Sequence, residues 1–362
     1  MTATRIGLAL SGGGSRAATF HLGCLRALHD HDVLDRVHVV SGISGGALLA
    51  AAWAYGPARF DDFDEMTTRL LHRGLQGDLI RRVLAPAGIA HAAVSCVRRP
   101  LPGSGDSAAS GWNRTEAFAQ LLDELLFPAA SLGRPTNPER AVVLTATDLH
   151  SGAAVRFGSA VNSCSRYGRI NDNVTVGTAV AASAAYPILL PTLDRRFTFT
   201  GRDGASRTER VMLSDGGIYD NLGLSVLQPG RSLHHTDHVY DLTHVISCDA
   251  GRGPLSHRSP GSWWRRNARA FEIVHAQAQN HGRGRLHEWS SSGALQGFVM
   301  AYLGQRDNLL PSPPADLVPA GAVVGYPTNF AAMSASDFTA LTTRGEQLIR
   351  ALLPHYCPEL LV

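Results

Sequence analysis

The segment Val37-His38-Val39-Val40-Ser41-Gly42-Ile43-Ser44-Gly45-Gly46-Ala47-Leu48-Leu49-Ala50-Ala51-Ala52-Trp53-Ala54-Tyr55 changes character twice along its length. Val37 to Val40 is a β-branched apolar run, the signature of a strand; Ala47 to Tyr55 is rich in alanine and leucine, the signature of a helix. Between them Gly42-Ile43-Ser44-Gly45-Gly46 leaves no room for anything but a tight turn. The same layout stands once upstream. Ile6 to Leu10 is apolar, Ser11-Gly12-Gly13-Gly14 follows, and Ala18, Leu22, Leu25 and Leu28 then recur at helical spacing. Two strand-turn-helix units in succession predict a three-layer α/β/α sandwich with a largely parallel central sheet and helices on both faces.

Outward from this nucleus, helical segments are expected at Phe63 to Leu75 and Leu79 to Leu84, followed by a Pro/Gly/Ser-rich stretch from Arg99 to Gly111. Residues 58 to 112 therefore read as a helical, lid-like insertion in a single domain spanning 1–362. Asn113 with Glu116 has the layout of a capping box before an amphipathic helix over Phe118 to Phe127. Further strands are predicted at Ala141 to Ala146, Val155 to Phe157, Val211 to Leu213 and His244 to Ser247. The segment Arg252 to Arg285 is rich in arginine and carries Trp263-Trp264. It reads as an amphipathic helix packed on the sheet, or as a seat for anionic headgroups.

Composition narrows the classes. Of 362 residues 44% are apolar and 17% charged, which supports a packed core and argues against disorder over the whole chain. The net charge of +3 comes entirely from arginine, for the chain has no lysine, and it is not concentrated into the stripe expected of a nucleic-acid binder. Cys24, Cys96, Cys164, Cys248 and Cys357 are odd in number and widely spaced, so neither a disulfide framework nor a zinc knuckle is indicated. The apolar run before Ser11 is too short for a signal-peptide core, and no stretch reaches the roughly 20 apolar residues of a bilayer span. A cytoplasmic protein that touches membranes only from outside is the expectation; oligomeric state is not readable.

Gly42-Ile43-Ser44-Gly45-Gly46 satisfies G-x-S-x-G between a strand and a helix, the setting of a nucleophile elbow, although a plain glycine-rich turn fits the same letters. Three consecutive glycines at Gly12, Gly13 and Gly14 leave amides open at a helix start, which suits an anion. A nucleotide phosphate would need G-x-x-x-x-G-K-[ST] or G-x-G-x-x-G, and neither occurs. Asp215 in Leu213-Ser214-Asp215-Gly216-Gly217 is either a turn former or an acid placed at a strand end. His21, His275, His281 and His287 could complete an ordinary triad, or be scattered packing and surface residues.

GGGxR at Gly12 to Arg16, GxSGG at Gly42 to Gly46 and DGG at Asp215 to Gly217, in that order, resemble the patatin-like phospholipase family. Softer matches lie at Thr147-Asp148-Leu149 with Ser151-Gly152, and at Ala182-Ser183-Ala184-Ala185 with Pro187. The resemblance runs from about residue 5 to 250, and beyond it Tyr326-Pro327-Thr328-Asn329-Phe330 is merely compatible. It implies a lipid acyl hydrolase with Ser44 as nucleophile and Asp215 as base, no catalytic histidine, and no metal or cofactor. It also implies an oxyanion hole from the backbone of Gly12, Gly13 and Gly14 with Arg16 fixing that loop, and phospholipids or other acyl-ester lipids as partners. Two departures stand out: Ala17 occupies a position commonly glycine, and Asp220-Asn221-Leu222-Gly223 follows the family's continuation only loosely. A serine esterase that uses a histidine, and a non-catalytic lipid-binding module, are the rival readings.

Overall fold

In a computed structural model of the chain, which describes residues 4–85, 113–128, 130–187, 189–254 and 261–361, strand β1 (Ile6–Leu10) is buried at every position. That is what a central strand covered on both faces requires. Helix α1 (Gly14–Asp30) leads into β2 (Val37–Gly42), and α2 (Gly45–Tyr55) follows. Helices α3 (Phe60–Arg73), α4 (Gln76–Leu84) and α5 (Arg114–Leu125) intervene before β3 (Ala141–Asp148). β1, β2 and β3 are parallel neighbours, with Leu10 opposite Gly42 and Gly42 opposite Leu144. Both glycine turns therefore leave the sheet at the same edge.

Beyond β3 the chain turns antiparallel. β4 (Ala154–Gly158), β5 (Asn162–Cys164), β6 (Gly168–Ile170), β7 (Leu193–Thr200) and β8 (Ser206–Ser214) run in sequence, with α6 (Val176–Ser183) between β6 and β7. This extension curls back on itself, so that Thr147 and Asp148 of β3 pair with Ser214 and Leu213 of β8. The end of β8 thereby arrives beside the end of β2, although the two are far apart in sequence. On the other flank β9 (His244–Asp249) pairs parallel with β1, and after α7 (Trp263–Ser291) β10 (Gly297–Tyr302) pairs parallel with β9. The sheet order is β10-β9-β1-β2-β3-β4-β5-β6-β7-β8.

The parallel core and every strand anticipated from sequence are present. β5, β6, β7 and β10 are additions. β5 and β6 have three residues each, too few for a period to show, and β7 is interrupted by Arg195 and Arg196.

The two sheet faces are covered differently. On one, α1, α2, α6 and α8 (Ala335–Tyr356) pack in a continuous apolar core. On the other, Ala9, Val39, Val143 and Val245 meet Leu222, Leu224, Val226, Leu227 and Leu242 of an irregular segment, with Leu286 and Trp289 of α7. Among the described residues of α7 the buried ones, Leu286 and Trp289, lie at its C-terminal end; Trp263 and Val274 are 63% and 68% exposed. α3 contributes Phe63, Leu70 and Leu71 to the core, whereas α4 has no fully buried residue and packs partly buried Leu79 against it. Of the lid-like insertion expected over 58–112, residues 86–112 lie outside the described residues. No described helix is long and apolar enough to cross a membrane.

Candidate active site

Ser44 stands between β2 and α2 with φ 53° and ψ −117°, a backbone conformation that a residue with a side chain adopts only under constraint. Close packing supplies the constraint. A Cβ on Gly45 would overlap the Gly14 carbonyl oxygen, one on Gly46 the Leu10 carbonyl oxygen, and one on Gly42 would lie 2.8 Å from Ala47 Cα. The Ile43 amide donates to the Leu10 carbonyl (3.0 Å), which ties this corner to β1. The Ser44 amide donates to Ser183 Oγ (2.9 Å), and Ser183 donates onward to the Thr145 carbonyl (2.7 Å).

Asp215 follows β8 and reaches the same place. Its amide donates to the Ala185 carbonyl (3.0 Å), the Gly216 amide to the Ser183 carbonyl (3.1 Å), and Thr147 Oγ1 to the Asp215 carbonyl (2.9 Å). Asp148, fully buried, accepts from the amides of Met212 (2.9 Å) and Ser151 (3.1 Å) and so locks the end of β3 to β8. The Asp215 carboxylate accepts from the Gly217 amide (2.7 Å). Burial pushes its pKa up from 3.8 to about 6, while hydrogen bonds from that amide and from the Ser44 side chain pull the other way. Both residues are nearly sealed from solvent, at 6% and 5% exposure, and Ser183 links their corners, its hydroxyl accepting from the Ser44 amide and its carbonyl from the Gly216 amide.

Two helix N-termini converge on this pair. Among the described residues the amides of Gly13, Gly14 and Gly45 have no protein acceptor. The Gly12 amide donates to the Asn221 carbonyl (3.0 Å), which narrows the expected trio of glycines. Gly13 and Gly14 have φ 148° and 61°, and a Cβ on Gly14 would lie 2.6 Å from the Asn329 carbonyl oxygen. Open amides at the starts of α1 and α2 suit a developing negative charge.

Arg16 is buried and donates to the carbonyls of Ala250 (3.2 Å) and Tyr326 (2.9 Å) and to Thr328 Oγ1 (2.9 Å). Burial, with Arg252 nearby, lowers its pKa to about 9. These bonds tie the first turn of α1 to the segment after β9 and to Tyr326–Thr328, and the Ser15 amide adds a bond to the Asn329 carbonyl (2.8 Å). The Tyr326 to Phe330 stretch, only loosely suggestive in sequence, thus backs the loop. The sequence alone does not single out Ser183, Thr147 and Asn329 as site residues; their signals are the softer matches at Ala182 to Ala185 and Thr147 to Leu149 and the compatible stretch Tyr326 to Phe330. The Asn221 carboxamide lies against both Gly12 and Gly217, between the two corners.

Among the described residues no histidine hydrogen-bonds to Ser44 or Asp215. His21 lies behind the loop at Ser11 Oγ (3.5 Å), kept neutral by burial with a pKa near 3. His275 and His281 border a separate cavity, and His287 packs edge-on against Phe298. At the far end of β9, His244, Cys357 and Glu359 bring ligand atoms within 4.8 Å, a grouping that sequence order conceals. His244 Nε2 and Glu359 Oε1 already pair there at 2.8 Å, and burial pushes the Cys357 thiol up to about 12, so it holds its proton.

Residues 8–227, containing both corners and the glycine loop, match the family model described as patatin-like phospholipase. The chain belongs to the patatin-like phospholipase family. No curated protein matches it. Among solved structures this patatin-like chain is similar to human GIVD cytosolic phospholipase A2, at TM-score 0.56 and 14% identity over 96% of this chain and 58% of that one. The human enzyme in complex with methyl gamma-linolenyl fluorophosphonate gives TM-score 0.52 and 16% identity, over 96% and 57%. The chain thus spans under three fifths of the length of these structures, and at such identity the likeness speaks for the fold.

Proposed function

We propose that the chain is a serine-dependent lipid acyl hydrolase of phospholipase A or lysophospholipase type, with Ser44 as nucleophile and Asp215 as the base. The observation that carries this reading is the Asp215 carboxyl, 5% exposed and joined through Ser183 to the strained Ser44 corner, where burial raises its pKa to about 6. An ordinary aspartate is too weak a base for a serine hydroxyl, and burial moves this one toward working pH.

In this mechanism Ser44 Oγ attacks the ester carbonyl carbon as Asp215 takes its proton. The carbonyl oxygen becomes an oxyanion facing the open amides of Gly13 and Gly14, with Gly45 at the start of α2 close by. Collapse breaks the bond to the alcohol, which leaves with the proton from Asp215. Water, deprotonated by Asp215, then attacks the acyl-serine, releasing the fatty acid and restoring Ser44. Each proton has a named carrier, so no step calls on a metal or cofactor. Acyl-ester lipids are the substrates in this reading. The exposed side chains of Trp263, Phe271 and Val274, with exposed Arg265 and Arg266 on the same helix, fit peripheral contact with their surface.

Wild type and Ser44→Ala incubated with mixed liposomes provide the test. Wild type is expected to release free fatty acid and to be labelled at Ser44 by a fluorophosphonate, and the variant to do neither. Labelling elsewhere, or equal release by both proteins, defeats the assignment. Loss of labelling in single substitutions of His275, His281 or His287 would instead favour a histidine-based esterase.

A further inference from the structure

Arg156 of β4 is 4% exposed, borders a cavity of about 450 Å³, and its Nε has no hydrogen-bond partner. A buried guanidinium with an idle donor is an unfinished interaction, because its charge was taken out of water without a counter-charge. Two more arginines border the same cavity. Arg231 donates to the Ser225 carbonyl and to Thr236 Oγ1 (2.8 Å), while Arg285 donates to Gln228 Oε1 and lies 5.1 Å over the Trp289 ring.

Every one of those partners is neutral. Buried Arg16 is likewise held by neutral groups, but several other buried or half-buried arginines find carboxylates, as in Arg26 with Asp64, Arg210 with Asp194 and Arg283 with Asp249. Among the described residues Arg156, Arg231 and Arg285 form no such pair. The one acid on the lining, Asp220, is occupied: its carboxylate accepts from the amides of Leu222 (3.2 Å), Gly223 (3.1 Å) and Ser225 (2.6 Å). The remaining polar border includes His275 and His281. Burial, with repulsion from Arg156, lowers Arg231 to about 10, and burial with both arginines drives the adjacent His238 to about 3. Burial opposes charge of either sign, but the repulsion among these like charges is a part that a bound anion relieves.

We propose that Arg156, Arg231 and Arg285 form a phosphate-binding site beside the candidate active site, receiving the phosphodiester of a lipid headgroup or a free phosphate. Forked guanidinium donors match phosphate oxygens, and the cavity is of a size that takes a small ligand. Its position gives the headgroup option meaning. Gly217 and Asn221 also border the cavity, and the Gly217 amide is the one that donates to Asp215. The anion site itself stands apart from the catalytic reading; only its assignment to a substrate headgroup rests on that reading.

Calorimetric titration of the full chain at constant ionic strength tests this, using inorganic phosphate in one arm and glycerophosphocholine in the other. Saturable binding is expected for wild type and equally for Ser44→Ala, whether or not lipid is ever hydrolysed. The double variant Arg231→Gln/Arg285→Gln should bind at least about tenfold more weakly, with partial recovery in the double lysine variant. Arg285→Gln alone, at a partly exposed position, serves as the second variant if the double one loses its native circular dichroism. Binding of the diester assigns the site to a headgroup, and binding of inorganic phosphate alone assigns it to a free anion. Binding of neither, or affinity unchanged by the glutamine variants, overturns the proposal.

Discussion

The two corners that meet at the candidate site mix steric contact and hydrogen bonding in different proportions. The Ser44 corner is held by the absence of side chains: Gly42, Gly45 and Gly46 let backbone touch backbone, and the strained φ of 53° is trapped by that contact. The Asp215 corner has one such contact, at Gly216, where a Cβ would lie 2.0 Å from the Thr145 carbonyl oxygen, and it is held besides by the Thr147 hydroxyl and the Asp148 carboxylate, which reach across from β3. Steric contact tolerates almost no substitution, whereas a hydrogen-bond network loosens one bond at a time. The difference predicts how each corner fails.

The largest effect tests whether the corners act as one unit. Asp215→Asn keeps the shape and removes the base, so kcat/KM on a soluble ester should fall about 10⁴-fold, as should Ser44→Ala, and the double variant should lose little more. Additive losses would mean that the two residues work independently. In the wild type kcat/KM should fall about tenfold per pH unit below an apparent pKa of about 6, because the base works only when ionised. A rate that stays flat down to pH 4.5 would dissociate Asp215 from the chemistry.

Steric contact comes next. Gly45→Ala places a methyl group on the Gly14 carbonyl, backbone against backbone, so relief requires moving α1 or α2. Urea unfolding should report a loss of about 3 kcal/mol, together with collapse of turnover. Gly77→Ala, where a Cβ would meet nothing within 4 Å, is the matched control and should be close to neutral.

This asymmetry also explains which parts were legible in the sequence. A glycine whose Cβ would strike a carbonyl is visible as a glycine, so Gly12 to Gly14 and Gly42 to Gly46 marked their turns, and the strands before them marked a parallel sheet. Asp215 was visible only by association with those motifs, since an aspartate in a strand-end turn is commonplace. Ser183 was not legible as a support. It stands 139 residues from Ser44, and nothing in a serine within an alanine-rich run says that its hydroxyl will face a backbone amide on another element. β7 and β10 were hidden for a related reason: arginines in one and an opening glycine in the other obscure a pattern that cross-strand partners restore, as Arg210 does for Asp194. The Gly12 amide shows the limit from the other side, for a glycine-rich loop announces open donors without saying that Asn221 will take one.

Ser183→Ala probes the network at a single bond. It strands the Ser44 amide in a buried setting, a loss of about 1–2 kcal/mol. If Ser183 orients the nucleophile, kcat should drop about tenfold with KM nearly unchanged, and Ser183→Thr should restore part of it. A loss of stability without a change in kcat would reduce Ser183 to a packing residue.

The smallest expected effect has the opposite sign. Because the folded pKa of Asp215 lies above its unfolded value, the native state binds the proton more tightly, and stability falls as pH rises from 3.8 through about 6. Above that range the buried charge weakens the fold, a penalty of up to about 3 kcal/mol. Asparagine carries no charge, so Asp215→Asn should be more stable than wild type at pH 8, by about 1 kcal/mol once the lost bond from Ser44 is offset. The gap should narrow as pH is lowered toward 4, where the native carboxyl is protonated and the unfolded one, at 3.8, is partly so. Thermal melts of the two proteins at pH 4 and pH 8 read this directly. A variant that is less stable than wild type at pH 8 would mean that the carboxylate is better solvated by its neighbours than its burial implies, and the Asp215 corner would then lose its claim to an activated base.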